Sequence, residues 1–363
     1  MRIGVPKEIK PQEFRVGLTP ESVKDFVLHG HEVLVESQAG AGIGAGDEAY
    51  LAAGAKIAQS IDQLFADAEM IVKVKEPQPV EIARLRPHHW LFTYLHLAPD
   101  PEQTKGLLAS GCSAIAYETI RDAQGSLPLL APMSEVAGRL AMEAAGAGLR
   151  RLSGGRGLLL GGVPGVRPAR VVILGGGVVG TQAARMAVGM GAEVTIIDRS
   201  LPRLRQLDDI FQGRVRTRAS THSAIDAEIR EADAVIGAVL VPGASAPRLV
   251  TRAMLKDMKP GAVLLDVAID QGGCFETSHP TTHAEPTFIV DHIVHYCVAN
   301  MPGAVPLTSS NALNNATVPY GLALAANPIA ALKHDPGLLA GLNIRAGKIT
   351  NRAVALSQNR EFT

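Results

Sequence analysis

The chain has 363 residues, 47% hydrophobic and 19% charged, more than a single core commonly supports, so two domains are expected and long disordered tracts are excluded. Lysine plus arginine balances aspartate plus glutamate at 35 each, so no net field favours nucleic acid or an anionic membrane surface. The most apolar windows, 234–242 and 261–269, are far shorter than the roughly 20 residues a membrane helix needs, which leaves a small-molecule ligand as the expected partner.

At the start, MRIGVPKEIKPQEFR places acids and a proline where a secretion signal would need an apolar core, and the expected location is the cytoplasm. Short β-branched runs then alternate with helical patterns. RIGV (2–5), HEVLVE (31–36), EMIVKVK (69–75), HWLFTYL (89–95) and CSAIAYE (112–118) read as strands. Helices lie between them: Thr19 and Pro20 open one, Ser60 with Gln63 forms a capping box for the next, and Asp100, Pro101 and Gln103 start a third. Strand and helix in alternation predict a parallel sheet.

A long alanine-rich helical pattern (133–152) and a glycine-heavy stretch then form a connector. A second βαβ series begins at RVVIL (170–174) and continues through EVTIID (193–198), ADAVIGAV (232–239), GAVLLDVAI (261–269) and HYCVAN (295–300). The tail from about Val305 reads as helical with no strand series of its own. It is expected to return to the first domain, giving a discontinuous domain of residues 1–128 plus 306–363 and an inserted one of 129–305. Cys112, Cys274 and Cys297 are the only cysteines; an odd number without CxxC spacing suggests neither a disulfide framework nor a zinc cage.

Gly175, Gly177 and Gly180 form GxGxxG. In a chain with 37 glycines the letters alone are weak, but here a strand precedes them, a helix follows, and the next strand ends in Asp198. The first glycine allows a tight turn, the second lets backbone approach a pyrophosphate, the third permits close helix packing, and the acid accepts from a ribose. The fold class is therefore α/β, two doubly wound Rossmann-like domains with a cleft between them. Asp198 favours NAD, because a carboxylate repels the 2′-phosphate of NADP; Arg199 beside it is read as a solvated charge.

Ligands of parallel sheets bind beyond the carboxyl ends of the strands. Four ionisable residues fall there. Arg15 follows the first strand, Lys75 ends IVKVK, His96 ends LFTYLH, and Asp270 follows LLDVAI in the second domain, where it would face the other three. An arginine can grip a carboxylate, a lysine can polarise a carbonyl and a histidine can move protons near neutrality. Singly, each is more often a solvated charge or a structural histidine; their common location beside a dinucleotide site is the signal. Glu118 also ends a strand and reads as structural. His279 with His283, and His292 with His295, have spacings a metal could use, but no HExxH or convergent acid accompanies them.

In these residues, and across nearly the whole chain, the sequence resembles the alanine dehydrogenase family. The segments that carry the resemblance are MRIGVPKEIKPQEFRVGLTP, VKVKEP, YLHLAPD, APMSEVAGRLA, VVILGGGVVGTQAARMA, DVAIDQGGCFE, and HYCVANMPGAVP followed by ALNNAT. The resemblance implies reversible NAD-dependent oxidative deamination of L-alanine to pyruvate and ammonium, as in alanine catabolism and amino-acid metabolism, by a homohexamer. It implies that Arg15 and Lys75 bind substrate and that His96 and Asp270 are the acid/base residues. It also implies cofactor contacts from Ser134, Val178, Asp198, Arg203, Ser220, Val239 and Val267, with Val179, Leu240, Ala268, Ile269 and Asp270 in the same segments. The resemblance further implies that the loop of Val298, Ala299, Asn300 and Met301 closes beside the nicotinamide.

The sequence departs from some relatives at His279, where they carry arginine, so no cofactor contact is transferred there, and at Val267, where they carry isoleucine. Ala323 and Asn327 stand where some hold a divalent ion with an acid and a histidine, so no metal is expected. Two rivals stand beside this reading. The NAD-binding subunit of a proton-translocating transhydrogenase has a similar plan but no need of a substrate acid/base such as His96. A catalytically silent NAD-binding sensor would have had freedom to lose one of Arg15, Lys75, His96 and Asp270.

Overall fold

The computed structural model describes residues 1–239 and 246–362. The chain divides into two compact units, Met1–Met133 with Gly303–Thr363, and Ser134–Pro302. Each is built on a sheet that is mostly parallel.

In the first unit, β1 (Arg2–Val5), β2 (Glu32–Glu36), β3 (Lys56–Ala58), β4 (Met70–Val72), β5 (Trp90–Thr93) and β6 (Ser113–Ala116) lie in the order β3-β2-β1-β4-β5-β6, all parallel. The expected strand 69–75 stops at Val72; Lys73 and Val74 still exchange backbone hydrogen bonds with Phe92 and Tyr94, but the amides of Val74 and Lys75 turn to the Glu8 carboxylate. The helices begin where short polar side chains can satisfy free backbone amides. Thr19 accepts from the amide of Ser22, Ser60 from that of Gln63, and Asp100 from that of Gln103. Gln63 reaches back one residue further than a capping box requires, to the amide of Gln59 (2.8 Å).

The tail corrects one expectation. It begins with the helix Pro306–Ala326, but it also carries two strands, β14 (Leu342–Arg345) and β15 (Lys348–Ile349). β14 runs antiparallel to β6 and extends the sheet beyond it. LNIR and KI are too short for a periodicity argument, and only an existing sheet edge gives them partners.

The second unit holds β7 (Arg170–Leu174), β8 (Glu193–Asp198), β9 (Val215–Ala219), β10 (Ala234–Gly237), β11 (Val263–Asp266), β12 (Thr287–Val290) and β13 (Ile293–Tyr296). Their order is β12-β13-β11-β10-β7-β8-β9, with only β12 antiparallel. Val172, Leu174, Val235 and Leu264 pack on one side of this sheet and Val171, Ile173, Ile236 and Val263 on the other. Burial of both faces is why these strands read as continuous apolar runs. The expected strand 295–300 starts earlier, at Ile293, and ends at Tyr296.

Read from β3 or β9 inward and counting only the parallel strands, both sheets have the order 3-2-1-4-5-6, which reverses direction between the first and fourth strands. The crevice beyond that point is where doubly wound sheets bind ligands. Among the described residues no helix is long and apolar enough to cross a membrane. The three cysteines are buried and unpaired.

Candidate active site

Three of the four ionisable candidates lie in the first unit, on loops leaving neighbouring strands at their carboxyl ends: Arg15 after β1, Lys75 after β4 and His96 after β5. Glu118 leaves β6 in the same way. In each case a carboxylate collects the backbone amide of the residue concerned.

Arg15 is buried, 2% exposed. Glu13 takes one edge of its guanidinium, with Oε1 accepting from Nε (2.6 Å) and Oε2 from Nη2 (2.5 Å), while Nη1 points to the Met133 sulfur (3.0 Å). The Arg15 amide also donates to Glu13 Oε1 (3.0 Å). Burial disfavours the charged guanidinium, but the Glu13 hydrogen bonds and charge outweigh it and raise the pKa, so Arg15 remains a cation. The tail helix holds the following segment: Ser310 Oγ accepts from the Val16 amide (3.2 Å), and Asn314 accepts from the Thr19 amide (2.9 Å) and donates to the Gly17 carbonyl (3.2 Å). Asn314 of ALNNAT, with Ser310 just before that segment, therefore clamps the Arg15 loop, a role the sequence did not disclose.

Lys75 is half-buried. Its amide donates to Glu8 Oε1 (3.3 Å) and its carbonyl accepts from Thr93 Oγ1 (2.9 Å).

His96 is exposed and sits at φ +49°, a left-handed conformation that costs a non-glycine residue energy and persists only when its surroundings impose it. Glu118 imposes it. Its carboxylate accepts from the amides of Leu95 (3.2 and 3.3 Å) and His96 (2.6 Å), which turns the chain sharply out of β5. Glu118 Oε1 also stands 4.0 Å from His96 Nδ1, and the ring of Tyr94 lies parallel to the imidazole at 5.7 Å. Burial pushes the Tyr94 hydroxyl pKa up, and that hydroxyl donates to the Leu129 carbonyl (2.5 Å). Glu118, read as structural from its strand-end position, holds the backbone that presents His96.

In the second unit the glycine motif leaves β7 and enters the helix Val178–Gly189. Gly175 has φ +102°, and a Cβ there would fall 2.6 Å from the Ala238 carbonyl oxygen. A Cβ on Gly180 would fall 1.9 Å from the carbonyl oxygen of Gly175. Gly177 meets nothing within 4 Å, so the motif opens an uncrowded backbone surface at a helix N-terminus, which suits a pyrophosphate. Asp198, half-buried at the end of β8, accepts from the amides of Gly176 (2.7 Å) and Ser200 (2.8 Å). Arg203 braces the same loop, donating from Nε to the Gly176 carbonyl (2.7 Å) and from Nη2 to Thr181 Oγ1 (2.8 Å).

The other cofactor candidates follow strand ends or flank the motif. Ser220 comes after β9, Val239 after β10, Val267, Ala268, Ile269 and Asp270 after β11, and Val298, Ala299, Asn300 and Met301 after β13; Val178 and Val179 open the motif helix. Ser134 lies on the helix Ala131–Gly148. Leu240 lies outside the described residues. Asp270 is exposed on a single 3-10 turn, Ile269–Gln271. The loop carrying it is gathered by buried Asp266, which accepts from the amides of Ala268 (3.1 Å), Cys274 (2.9 Å) and Phe275 (3.3 Å) and from Ser278 Oγ (2.6 Å). Asn300 has φ +60° and its carbonyl meets His283 Nε2 (3.2 Å).

Of the histidines at metal-like spacing, His279 and His295 have other partners. His279 stacks on Phe288 (3.7 Å), Phe288 stacks on His295 (4.9 Å), and His295 Nε2 bonds Thr277 Oγ1 (2.7 Å). Among the described residues no three acids, histidines or cysteines are grouped to hold a metal. Asn327 caps the helix Pro328–His334, accepting from the Ala330 amide (3.1 Å).

Comparison with known proteins agrees with this architecture. Residues 4–137 match the family described as Alanine dehydrogenase/PNT, N-terminal domain, and residues 141–352 match Alanine dehydrogenase/PNT, C-terminal domain. An alanine dehydrogenase of Halomonas elongata is 59% identical over 363 residues, covering 100% of this chain and 98% of that protein. A solved L-alanine dehydrogenase superposes with a TM-score of 0.96 at 52% identity, covering 99% of each chain. A transhydrogenase from Sinorhizobium meliloti superposes at 0.81 with 26% identity, over 97% of this chain and 100% of that one. With both halves matched in order and relatives this similar over its full length, the chain belongs to the alanine dehydrogenase/PNT family.

Proposed function

We propose that the chain is an L-alanine dehydrogenase that interconverts L-alanine and NAD with pyruvate, ammonium and NADH, and that it works in the cytoplasm as a homohexamer. The observation that carries this reading is the placement of Arg15, Lys75 and His96 on loops leaving the adjacent strands β1, β4 and β5. A nucleotide-binding subunit without substrate chemistry has no use for that set, and the identity to alanine dehydrogenases is about twice that to the transhydrogenase.

The nicotinamide, when bound, supplies a hydride acceptor for the Cα of the amino acid. The chain's own residues do the rest. Arg15 takes the substrate carboxylate with a guanidinium that Glu13 orients. The Lys75 ammonium polarises the substituent on the reacting carbon, which favours attack of water on the iminium left by hydride loss. His96 takes the proton from that water and returns one to the departing nitrogen. Asp270 orients the ammonia or water. Asp198 receives the ribose hydroxyls and repels a 2′-phosphate, giving a preference for NAD over NADP, with Ser134, Val178, Arg203, Ser220, Val239 and Val267 lining the nucleotide.

Purified protein mixed with NADH, pyruvate and ammonium should lose absorbance at the nicotinamide band only when both pyruvate and ammonium are present. Oxidation without ammonium would make it a hydroxy-acid dehydrogenase. NADH binding without oxidation would make it a nucleotide subunit or silent sensor, and equal turnover with NADPH would remove the role given to Asp198.

A further inference from the structure

Beneath the substrate-facing loops of the first unit lies a charged cluster that the reaction does not use. Lys73 is 0% exposed, as is Glu81, and Glu8 is 7% exposed. The Lys73 ammonium donates to Glu81 Oε1 (2.7 Å) and to Glu8 Oε2 (3.2 Å). Such a group is costly to bury and stabilises little over an apolar replacement. Its value lies in what the two carboxylates do with their other oxygens. Glu8 Oε1 accepts from the amides of Val74 (2.7 Å) and Lys75 (3.3 Å). Glu81 Oε2 accepts from the amide of Gln78 (2.7 Å), capping the turn that ends this segment.

Glu8 lies on the loop that carries Arg15, and Lys73 on the one that carries Lys75. The two loops also touch through backbone: a Cβ on Gly17 would fall 2.4 Å from the Val72 carbonyl oxygen. Further out, Lys10 pairs with Glu76, so the same loops are tied a second time.

We infer that Glu8, held in place by Lys73, is a positioning residue that fixes the Lys75 backbone relative to the Arg15 loop, and so sets the spacing of the two cations that hold the substrate. This inference rests on the substrate roles given to Arg15 and Lys75. The essential contact is the one from Glu8 Oε1 to two amides, and the charge on Glu8 is secondary. Burial, with the nearby carboxylates of Glu81 and Glu13, raises the Glu8 pKa against the pull of Lys73 and the Val74 amide. Were Glu8 neutral, Lys73 would still pair with Glu81.

Two variants separate reach from charge. Glu8→Gln keeps an acceptor oxygen at the same length without the charge, and Glu8→Asp keeps the charge but draws it back by one methylene. For Glu8→Asp, KM for L-alanine and pyruvate should rise about tenfold, as misplacing a binding group by a fraction of an ångström does. KM for the dinucleotide, held by the other unit, should change less than about twofold. Amide hydrogen exchange at Val74 and Lys75 should accelerate in Glu8→Asp and stay near the parent rate in Glu8→Gln, whose KM values should also stay within about threefold of the parent.

The reverse order, with Glu8→Gln impaired and Glu8→Asp normal, would overturn the inference, as would parallel loss of substrate and dinucleotide affinity in Glu8→Asp. The exchange measurement needs no turnover. If the parent protein proved inactive on every amino acid, the functional reading would fall while exchange at Val74 and Lys75 still decided whether Glu8 positions that backbone.

Discussion

The two units share a strand order and differ in what they place at its reversal point. In the second, the loop leaving β7 carries no side chain at Gly175, Gly176 or Gly177, and the binding surface is backbone at a helix N-terminus. In the first, the corresponding loop leaving β1 carries Glu8, Glu13 and Arg15, and its neighbours carry Lys75 and His96. One topology thus yields an open backbone surface, to which the proposed function assigns a dinucleotide, and a cluster of charged side chains, to which it assigns a small acid. The sheet determines where a site forms, and the loops determine what it does. The carboxylates follow the same division. Glu8, Glu13 and Glu118 fix the backbone around charged residues, whereas Asp198 fixes the glycine loop itself.

The largest expected effect separates the units by function. His96→Ala should lower kcat by about a thousandfold, within the range a lost general acid/base costs, and leave the Kd for NADH unchanged. Turnover within tenfold of the parent protein would remove His96 from proton transfer.

The converse comes from the glycine loop. Gly177→Ala adds a methyl group where nothing lies within 4 Å, whereas at Gly180 it would lie 1.9 Å from backbone oxygen. Both should weaken NADH binding about 100-fold, but only Gly180→Ala should lower the melting temperature, because overpacking costs ~1–3 kcal/mol. Fluorescence titration and a thermal melt measure the two effects. Equal destabilisation by both would mean that the open side of Gly177 is needed for folding and not for a ligand.

The alternation of strands with capped helices was legible in the sequence, because period and capping are local properties. So was the position of the charged candidates at strand ends, since βαβ order fixes which end of each strand faces the crevice. The carboxylates that hold those candidates were not. Glu118 lies 22 residues from His96 and Glu8 lies 67 from Lys75, separations set only when neighbouring strands pair. Asn314 and Ser310 reach the Arg15 loop from nearly 300 residues away. β14 and β15 were missed for a related reason: a strand of two to four residues has too little pattern to announce itself, and forms because β6 offers an edge.

A smaller effect tests whether the strain at His96 has a use. Glu118→Gln retains an acceptor for the Leu95 and His96 amides, and Glu118→Ala removes it. Glu118→Ala should lower kcat/KM for pyruvate by about tenfold through misplacement of the imidazole, with Glu118→Gln closer to the parent protein. If both fell equally, the negative charge 4.0 Å from Nδ1 would be the part that matters, and the pH dependence of kcat would shift with it.

The smallest expected effect lies away from the site and concerns stability. His89 is buried behind β5, where Nδ1 accepts from the Arg86 amide (2.9 Å) and Nε2 therefore donates to the Phe65 carbonyl (2.8 Å). This pair of bonds fits only the neutral ring, since protonation of Nδ1 would lose its donor. Burial lowers the His89 pKa most, and nearby His88 and Arg86 lower it further, against the Phe65 and Ala68 carbonyls, which raise it. The unfolded chain takes up a proton as pH falls through the ordinary histidine value of about 6.5, while the folded chain resists until its lower pKa. Stability from this residue is therefore complete above about pH 6.5 and declines as pH falls toward the depressed folded value. His31 and His295, also lowered, act in the same direction, so the residue is isolated by difference. Chemical denaturation of the parent protein and of His89→Gln between about pH 5 and pH 8 should show a shallower loss on the acid side for the variant, although the variant is less stable at neutral pH. Identical acid-side slopes would mean that His89 takes up its proton equally in the folded and unfolded states, and that the acid sensitivity of the first unit comes from another group.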